Sequence, residues 1–570
     1  MADAPKLTNS VRSILSINLE DYFQVAAMRQ VIPQRYWSRF ALRVEKSTLA
    51  TLDLLDRTNQ KATFFVLGWI AERCPDLIAE VARRGHDVAS KGFLHRNYAQ
   101  LSPEDFRVDF QRSRSAIEAA TGQKVLGYRI ASGALPTDDL TPYEILAKEG
   151  VKYDSSVRPF GLAYIGRPEW RKVREIKGDD WSLTEVPLSS DDILGVPIPI
   201  TGGNYLRQAP RALYERRLAS YLQSSTEPWH LYFHTWEFDP DQPRVSAARR
   251  LSQIRHYRNL EKMKERVEAF LTTYRFQSIS EYLGLAPEAA VASLPVTAAI
   301  PVQVQAAGGT KATIVVPCYN EEETLPYLAG NLASFAKETA GRFDFSYIFV
   351  DDGSADGTWA KLQELFGDRA DCQLIKHPEN RGIAAATMTG IRAARDEIVC
   401  GIDCDCSFDP HELAKMIPLL TPDVDLVQAS PYHPKGGVMN VPAWRLALSR
   451  NLSRIYNRIL NHRFASYTAC FRVYRRSKIA PLQPSNGGFM GIMEMFILLD
   501  QSGSKIVEYP AVLETRLLGV SKMKTLSVIR QHLGLIRELL FSRADVLRRA
   551  GVGNQHGAAG EARRVTREVL

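Results

Sequence analysis

Short apolar runs alternate with longer amphipathic stretches along most of this chain. In the first half the runs are "SILSINL", "ATFFVLG" and "HLYFHTW"; in the second they are "ATIVVPCYN", "FSYIFVDDG" and "EIVCGIDCD". Runs this short and this uniformly apolar predict strands buried on both faces, and the stretches between them predict covering helices. The pattern therefore gives an α/β class with parallel sheets, twice over. Between the halves lies "VASLPVTAAIPVQVQAAGG", rich in Ala, Val, Pro and Gly, without charge or helical period. It predicts a linker over residues 286–310, one domain over 1–285, a second over 311–550, and a flexible tail over 551–570.

Composition agrees with two folded domains: 570 residues exceed what one core serves, and 45% hydrophobic with 24% charged residues is ordinary globular usage. The net charge of +8, from 72 basic and 64 acidic residues, is too mild for a nucleic-acid-binding protein. It suits anionic phosphates or an anionic membrane face. The seven cysteines are scattered without a CxxC pair, the N-terminus lacks the apolar core of a signal peptide, and no run nears the ~18 apolar residues of a spanning helix. A cytoplasmic protein is expected, either free or peripheral on the cytoplasmic membrane face. "KTLSVIRQHLGLIRELLFSRADVLRR" sets Leu526, Ile529, Leu533, Ile536 and Leu540 at helical spacing among arginines, which fits an interfacial helix or one packed on its own domain.

The second half carries hard oxygen ligands where a parallel sheet presents them. "TIVVPCYNEEE" breaks at Pro317 into a polar loop with Asn320 and Glu321. "YIFVDDGSADGT" ends a strand with Asp351 and Asp352, and "IVCGIDCDCSFDP" ends another with Asp403 and Asp405. Ligands of open α/β sheets sit at strand carboxyl ends, and carboxylates of this kind hold Mg²⁺ or Mn²⁺ against a diphosphate. Taken in order, these motifs resemble the family-2 glycosyltransferases of GT-A (Rossmann-like) fold, over roughly residues 311–545. The resemblance implies that Pro317, Tyr319 and Glu321 line a nucleoside pocket, with Asp351 and Asp352 near base and ribose. It puts Asp403 and Asp405 on metal and diphosphate, and a helix after the turn at Asn380 and Gly382.

"IDCDCSFDP", "ACFRVYRRS" and "EYPAVLETRLLGVSKMK" are similar to the polyprenyl-phosphate sugar transferases within that family. That likeness implies cationic phosphate contacts from Arg472, Arg516 and Lys522. The chain departs from the group in "SYTACFR", with Ser466 and Cys470 where Asp and Gly are usual. A lipid phosphate needs positioning and metal-assisted departure of the nucleoside diphosphate more than a base; a sugar hydroxyl acceptor would make Glu494 the candidate base.

In the first half, "SINLEDYFQV", "KATFFVLGWIAERCPDLIAEVARRGHDVAS", "GYRIASGALP", "TEVPLSSDDILGVPIPITGGNYLR" and "YFHTWEFDPDQPRV" resemble the polysaccharide deacetylases, over residues 13 to about 283. The resemblance implies an irregular (β/α) barrel with a divalent metal, usually Zn²⁺, activating water for N-acetyl hydrolysis. It makes Asp21 and His95 metal ligands, Glu20 the base, Arg129 the residue orienting the base, and His234 the acid. The first His of the HxxxH metal motif is Lys91 here. An ammonium has no free lone pair, so Lys91 is expected to replace the cation itself by pairing with Asp21, with Glu20 an open second partner. "GYRIASGAL" and "RPFGLAYIGRP" also depart from the family pattern.

The expectation is a glycosyltransferase that moves a sugar from a nucleotide-sugar donor to a polyprenyl phosphate or glycan, fused to a deacetylase-like domain with an altered metal site. Two alternatives remain at this stage: a bifunctional transferase and N-deacetylase, and a non-catalytic partner in envelope polysaccharide assembly.

Overall fold

The computed structural model describes residues 13–290, 309–439, 443–460, 462–514, 516–518 and 531–537. The chain divides into two compact units, Met1–Val302 and Gln303–Leu570.

The first unit is built on β1 (Ser13–Leu19), β2 (Thr63–Val66), β3 (Asp87–Ser90), β4 (Gly127–Tyr128), β5 (Tyr153–Asp154), β6 (Arg174–Lys177), β7 (Ser182–Glu185), a hairpin β8 (Ser190–Ile193) and β9 (Val196–Pro199), β10 (His230–His234) and β11 (Phe276–Gln277). The main sheet runs β10-β1-β2-β3-β4-β5-β7-β6, with β11 forked onto β1. All pairings in it are parallel except β6 with β7. No pairing joins β10 to β6 among the described residues, so the barrel is open. β1 and β2 are buried along their whole length, which is why their sequences read as unbroken apolar runs.

Local chemistry fixes the connections. The helix Pro103–Thr121 starts behind Ser102, whose Oγ accepts the Asp105 N–H at 3.1 Å, and stops at Gly122, left-handed at φ 67°. Asn18 pairs with His234, and the next rung ties Leu19 to Val66, Val66 to Ser90, Ser90 to Tyr128 and Tyr128 to Asp154. The residues that follow these positions, Glu20, Lys91, Arg129 and Ser155, therefore share one rim.

The second unit contains β12 (Thr310–Cys318), β13 (Phe343–Asp351), β14 (Cys372–Lys376), β15 (Ile398–Gly401), β16 (Leu426–Ser430), β17 (Gly437–Val438), β18 (Arg472–Arg475), β19 (Ile506–Pro510) and β20 (Val512–Leu513). The sheet order is β14-β13-β12-β15-β18-β16-β19, parallel except where β18 runs against β15 and β16; β17 and β20 pair separately. Side chains alternate between two cores: Ile314, Val316, Tyr347 and Phe349 pack on one face, Val315, Ile348 and Val350 on the other. Burying each of these large side chains contributes about 1.5–3 kcal/mol. Helix Phe489–Gln501 is buried from Met490 through Asp500.

In the C-terminal stripe, residues 531–537 are helical: Leu535 and Ile536 pack on the domain core, whereas Leu533 is 62% exposed. Leu526, Ile529 and Leu540 lie outside the described residues, as do Lys522 and the tail 551–570. No helix among the described residues is long and apolar enough to cross a membrane.

Candidate active sites

The carboxyl ends of β12, β13 and β15 converge on one loop cluster. After Pro317 and Cys318 the chain turns at Asn320, left-handed at φ 52°. The Asn320 N–H donates to Ser354 Oγ at 2.8 Å and its Oδ1 accepts the Ala355 N–H at 2.7 Å, clamping the β12 and β13 loops together. Tyr319 is 38% exposed beside them, open to a planar ligand. Gly353, at φ 67°, is required because a Cβ there would meet the backbone of Glu379 and Asn380.

The two adjacent aspartates have separate roles. Asp352 accepts from the Arg381 N–H at 2.9 Å and the Gly382 N–H at 2.7 Å, and bonds His377 Nδ1 at 2.7 Å. Both its oxygens anchor the start of the helix Ile383–Ala393 and so hold that turn. Asp351 accepts only the Ser354 N–H at 3.1 Å through Oδ1, while its buried Oδ2 has no partner. An unpartnered buried carboxylate oxygen is costly unless a ligand donates to it.

Asp403 and Asp405 follow β15 at the turn around Cys406 (φ 53°). Burial first, then the Asp405 charge, push the Asp403 carboxyl up to about 7, with the Cys470 thiol bonded to it. Asp405 Oδ1 accepts the Ser407 N–H at 2.9 Å and the Ser407 hydroxyl at 2.7 Å; its Oδ2 accepts Arg516 Nε at 2.8 Å. Arg516 Nη2 reaches Glu321 Oε1 at 2.7 Å, so one guanidinium bridges the β12 loop and the aspartate pair. Excess negative charge on two hard carboxylates is a donor set that fits Mg²⁺ or Mn²⁺ with diphosphate oxygens completing the shell. Among the described residues no group of three potential metal-ligating side chains exists, so the ligand must supply the rest.

Two expected site residues, Arg472 and Glu494, are tied into the surrounding fold. Arg472 is fully buried and donates to Gln428 Oε1 at 2.9 Å, the Ile492 carbonyl at 2.8 Å and the Tyr467 carbonyl at 2.9 Å. It ties β18 to β16 and the long helix. Glu494 accepts the Ser485 N–H at 2.9 Å, the Ser485 hydroxyl at 3.0 Å and the Asn486 N–H at 3.1 Å. Both of its oxygens hold that turn. His377 and Cys470 were not foreseen as partners of Asp352 and Asp403; only their places near strand ends could have signalled them.

In the first unit Glu20 is the hub. It is wholly buried, its Oε2 receives a very short bond from Lys91 Nζ and lies 3.6 Å from His95 Nε2, and its Oε1 bonds His234 Nδ1 at 2.5 Å. Burial alone would raise the Glu20 pKa, but Lys91 and His234 outweigh it and hold the carboxyl well below the usual range. The expected Lys91–Asp21 pair is not formed. Asp21 instead accepts the Tyr22 N–H at 2.9 Å, the Arg43 N–H at 2.7 Å and the Val44 N–H at 3.0 Å, at the start of the helix Val44–Arg57. Its carboxyl is pushed up to about 6 by burial.

His95 is held neutral, its pKa lowered by burial to about 3, and its Nδ1 is unpartnered. Arg129 donates to the Ser155 carbonyl at 3.0 Å, Ser155 Oγ at 2.8 Å and Asn18 Oδ1 at 3.2 Å, and lies 4.0 Å above the Phe65 ring. It does not orient Glu20, contrary to the family pattern. With an ammonium on the base, Asp21 turned to backbone amides and no three-ligand cluster among the described residues, this constellation does not fit Zn²⁺.

Three family models match parts of the chain. Residues 313–482 match glycosyl transferase family 2, residues 39–153 match polysaccharide deacetylase, and residues 155–284 match a domain of unknown function, DUF3473. The chain thus joins a polysaccharide deacetylase-type domain to a glycosyltransferase domain. More narrowly, the second is a family-2 glycosyltransferase.

Among curated relatives, polyprenol monophosphomannose synthase of Mycolicibacterium smegmatis is 29% identical over 240 residues, covering 41% of this chain and 85% of the relative. Dolichol-phosphate mannosyltransferase of Pyrococcus furiosus is 27% identical over 217 residues, 38% of this chain and 59% of that one. Among the solved structures matched is glucosyl-3-phosphoglycerate synthase from Mycobacterium tuberculosis (19% identity, 43% of this chain, 82% of that chain, TM-score 0.29). Another is a CE4-family pseudoenzyme from Bacillus anthracis (16% identity, 48% of this chain, 66% of that chain, TM-score 0.27).

Proposed function

We propose that the second unit transfers a sugar from a nucleotide-sugar donor to a polyprenyl phosphate, and that the first unit does not hydrolyse N-acetyl groups. The observation that carries the first reading is the bridge Asp405–Arg516–Glu321 beside Asp403 and the open Asp351 Oδ2. Both curated relatives are named for transfer to polyprenyl-type phosphates, which favours that acceptor over a glycan.

Tyr319 and the Asn320 turn receive the nucleoside, and Asp351 Oδ2 accepts a hydroxyl or N–H from it. Asp403 and Asp405 would hold Mg²⁺ or Mn²⁺, which would supply charge neutralisation for the departing nucleoside diphosphate. Arg516, released from Asp405 as the donor enters, turns its guanidinium to phosphate oxygens. The acceptor phosphate oxygen is already anionic at neutral pH, so positioning replaces base catalysis, in keeping with Glu494 being stapled to its turn. In-line attack inverts the anomeric centre. All seven cysteines are free, as suits the cytoplasmic side, where a polyprenyl acceptor brings the protein to the membrane face.

The test is transfer by the purified full chain from UDP- and GDP-sugars to a short-chain polyprenyl phosphate. We expect turnover dependent on Mg²⁺ or Mn²⁺ and abolished by EDTA; activity unaffected by EDTA would contradict the metal role, and transfer only to free glycans would overturn the acceptor. For the first unit, we expect the wild type to carry no stoichiometric zinc and to release no acetate from N-acetylchitooligosaccharides. Bound zinc with acetate release lost in Asp21→Ala would reverse that reading.

A further inference from the structure

The rim of the first unit collects more cations than the buried carboxylate can satisfy. Lys91 and Arg129 follow β3 and β4 directly, and Arg158 follows β5 within the segment Ser155–Ser156–Val157–Arg158. That segment is pinned to its neighbours: the Ile130 N–H donates to Ser156 Oγ at 2.8 Å, the Val157 N–H to Glu185 Oε1 at 3.0 Å, and the Leu188 N–H to the Val157 carbonyl at 3.2 Å. Arg158 thus leaves a fixed backbone at the same carboxyl end of the sheet, within electrostatic reach of Lys91, Arg129 and Tyr232.

The charges around it are unequally matched. Glu20 serves Lys91 and His234. Asp21 faces the amides of Arg43 and Val44. Asp154 and Glu185 share a hydrogen bond below the rim, and Asp154 takes the Ser156 N–H at 2.9 Å. Arg129 is engaged by neutral oxygens of Asn18 and Ser155. Arg158 accepts the Phe160 N–H at 2.7 Å through its carbonyl, but its guanidinium, alone among these cationic groups, makes no hydrogen bond or ion pair among the described residues; the residue is half-buried. An unpaired guanidinium beside two further cations offers a five-donor fork to an oxyanion. A catalytic metal would have been repelled by these cations; an anionic ligand is attracted.

We propose that this altered deacetylase site is a metal-free binding site for an anionic sugar, a hexose carrying a carboxylate or a phosphate, whose oxyanion pairs with Arg158. The Lys91–Glu20–His234 group then meets the sugar as a fixed polar floor, with Tyr232 at its side. The proposal rests on the absence of zinc argued above, and zinc analysis of the same sample separates the failure of that premise from failure of the inference.

The experiment is calorimetric titration of the full chain, with a nucleoside diphosphate and Mn²⁺ present to occupy the transferase cleft. The probes are N-acetylglucosamine 1-phosphate, a glucuronate-containing disaccharide, and neutral N-acetylchitotriose. We expect one equivalent of at least one anionic probe to bind, the phosphate and carboxylate arms telling which oxyanion is preferred. Arg158→Gln should weaken that binding at least ~10-fold without moving the melting temperature, Arg158→Lys should restore part of it, and the neutral trisaccharide should bind at least ~10-fold more weakly. Zinc-free protein that binds neither anionic probe, that binds them equally after Arg158→Gln, or that takes the neutral sugar as tightly overturns the proposal.

Discussion

Asp405→Asn lowers sugar transfer by about 10²–10³-fold, the range seen when one preorganised electrostatic contact to a reacting centre is removed. The substitution keeps the carbonyl oxygen that accepts from the Ser407 N–H and hydroxyl, so the turn after β15 persists. It puts an amide in place of the oxygen facing Arg516 Nε, and Arg516 retains Glu321. What disappears is one negative charge beside Asp403, and with it the affinity for a divalent cation. Steady-state transfer, together with titration of Mn²⁺ and a nucleoside diphosphate, measures both effects. Transfer within threefold of wild type would show that Asp405 is a turn residue only.

The strands were legible because β1, β2, β12 and β13 are buried on both faces and so carry runs that no surface segment would. The antiparallel insertion of β18 was not, since pairing order depends on contacts distant in sequence. At the sites, residue type marked position better than role. Asp351 and Asp352 read alike in "VDDGS", but alternate side-chain directions leave one carboxylate with a buried oxygen unpartnered among the described residues and send the other to the Arg381 and Gly382 amides. Arg472, Glu494 and Asp21 bind backbone groups as far as 23 residues away or on another element, and nothing in a local motif distinguishes that use from chemistry. Lys91 was the most informative single letter: an ammonium at a histidine position marked an altered site, although its partner is Glu20 and not Asp21.

Lys91→Met destabilises the first unit by about 3–5 kcal/mol, the usual cost of removing one partner from a buried ion pair. For a unit of this size that is a fall in melting temperature of roughly 10 °C. The cause is Glu20, wholly buried and left with His234 as its nearest charge partner. Adding Glu20→Gln removes the stranded charge, so the double variant should recover most of the loss, which a merely steric effect of methionine would not allow. The pH dependence has a definite sign. Glu20 has a folded pKa well below its unfolded value of 4.5, so the unfolded state takes up the proton first. The pair's stabilisation is complete above about pH 4.5 and is lost as pH falls through the folded pKa. Wild-type melting temperature should therefore drop on acidification below that point, whereas the double variant loses this contribution to the slope. A Lys91→Met protein as stable as wild type, with an unchanged acid limb, would mean that Glu20 is neutral in the folded state and that Lys91 does not take the place of a metal cation.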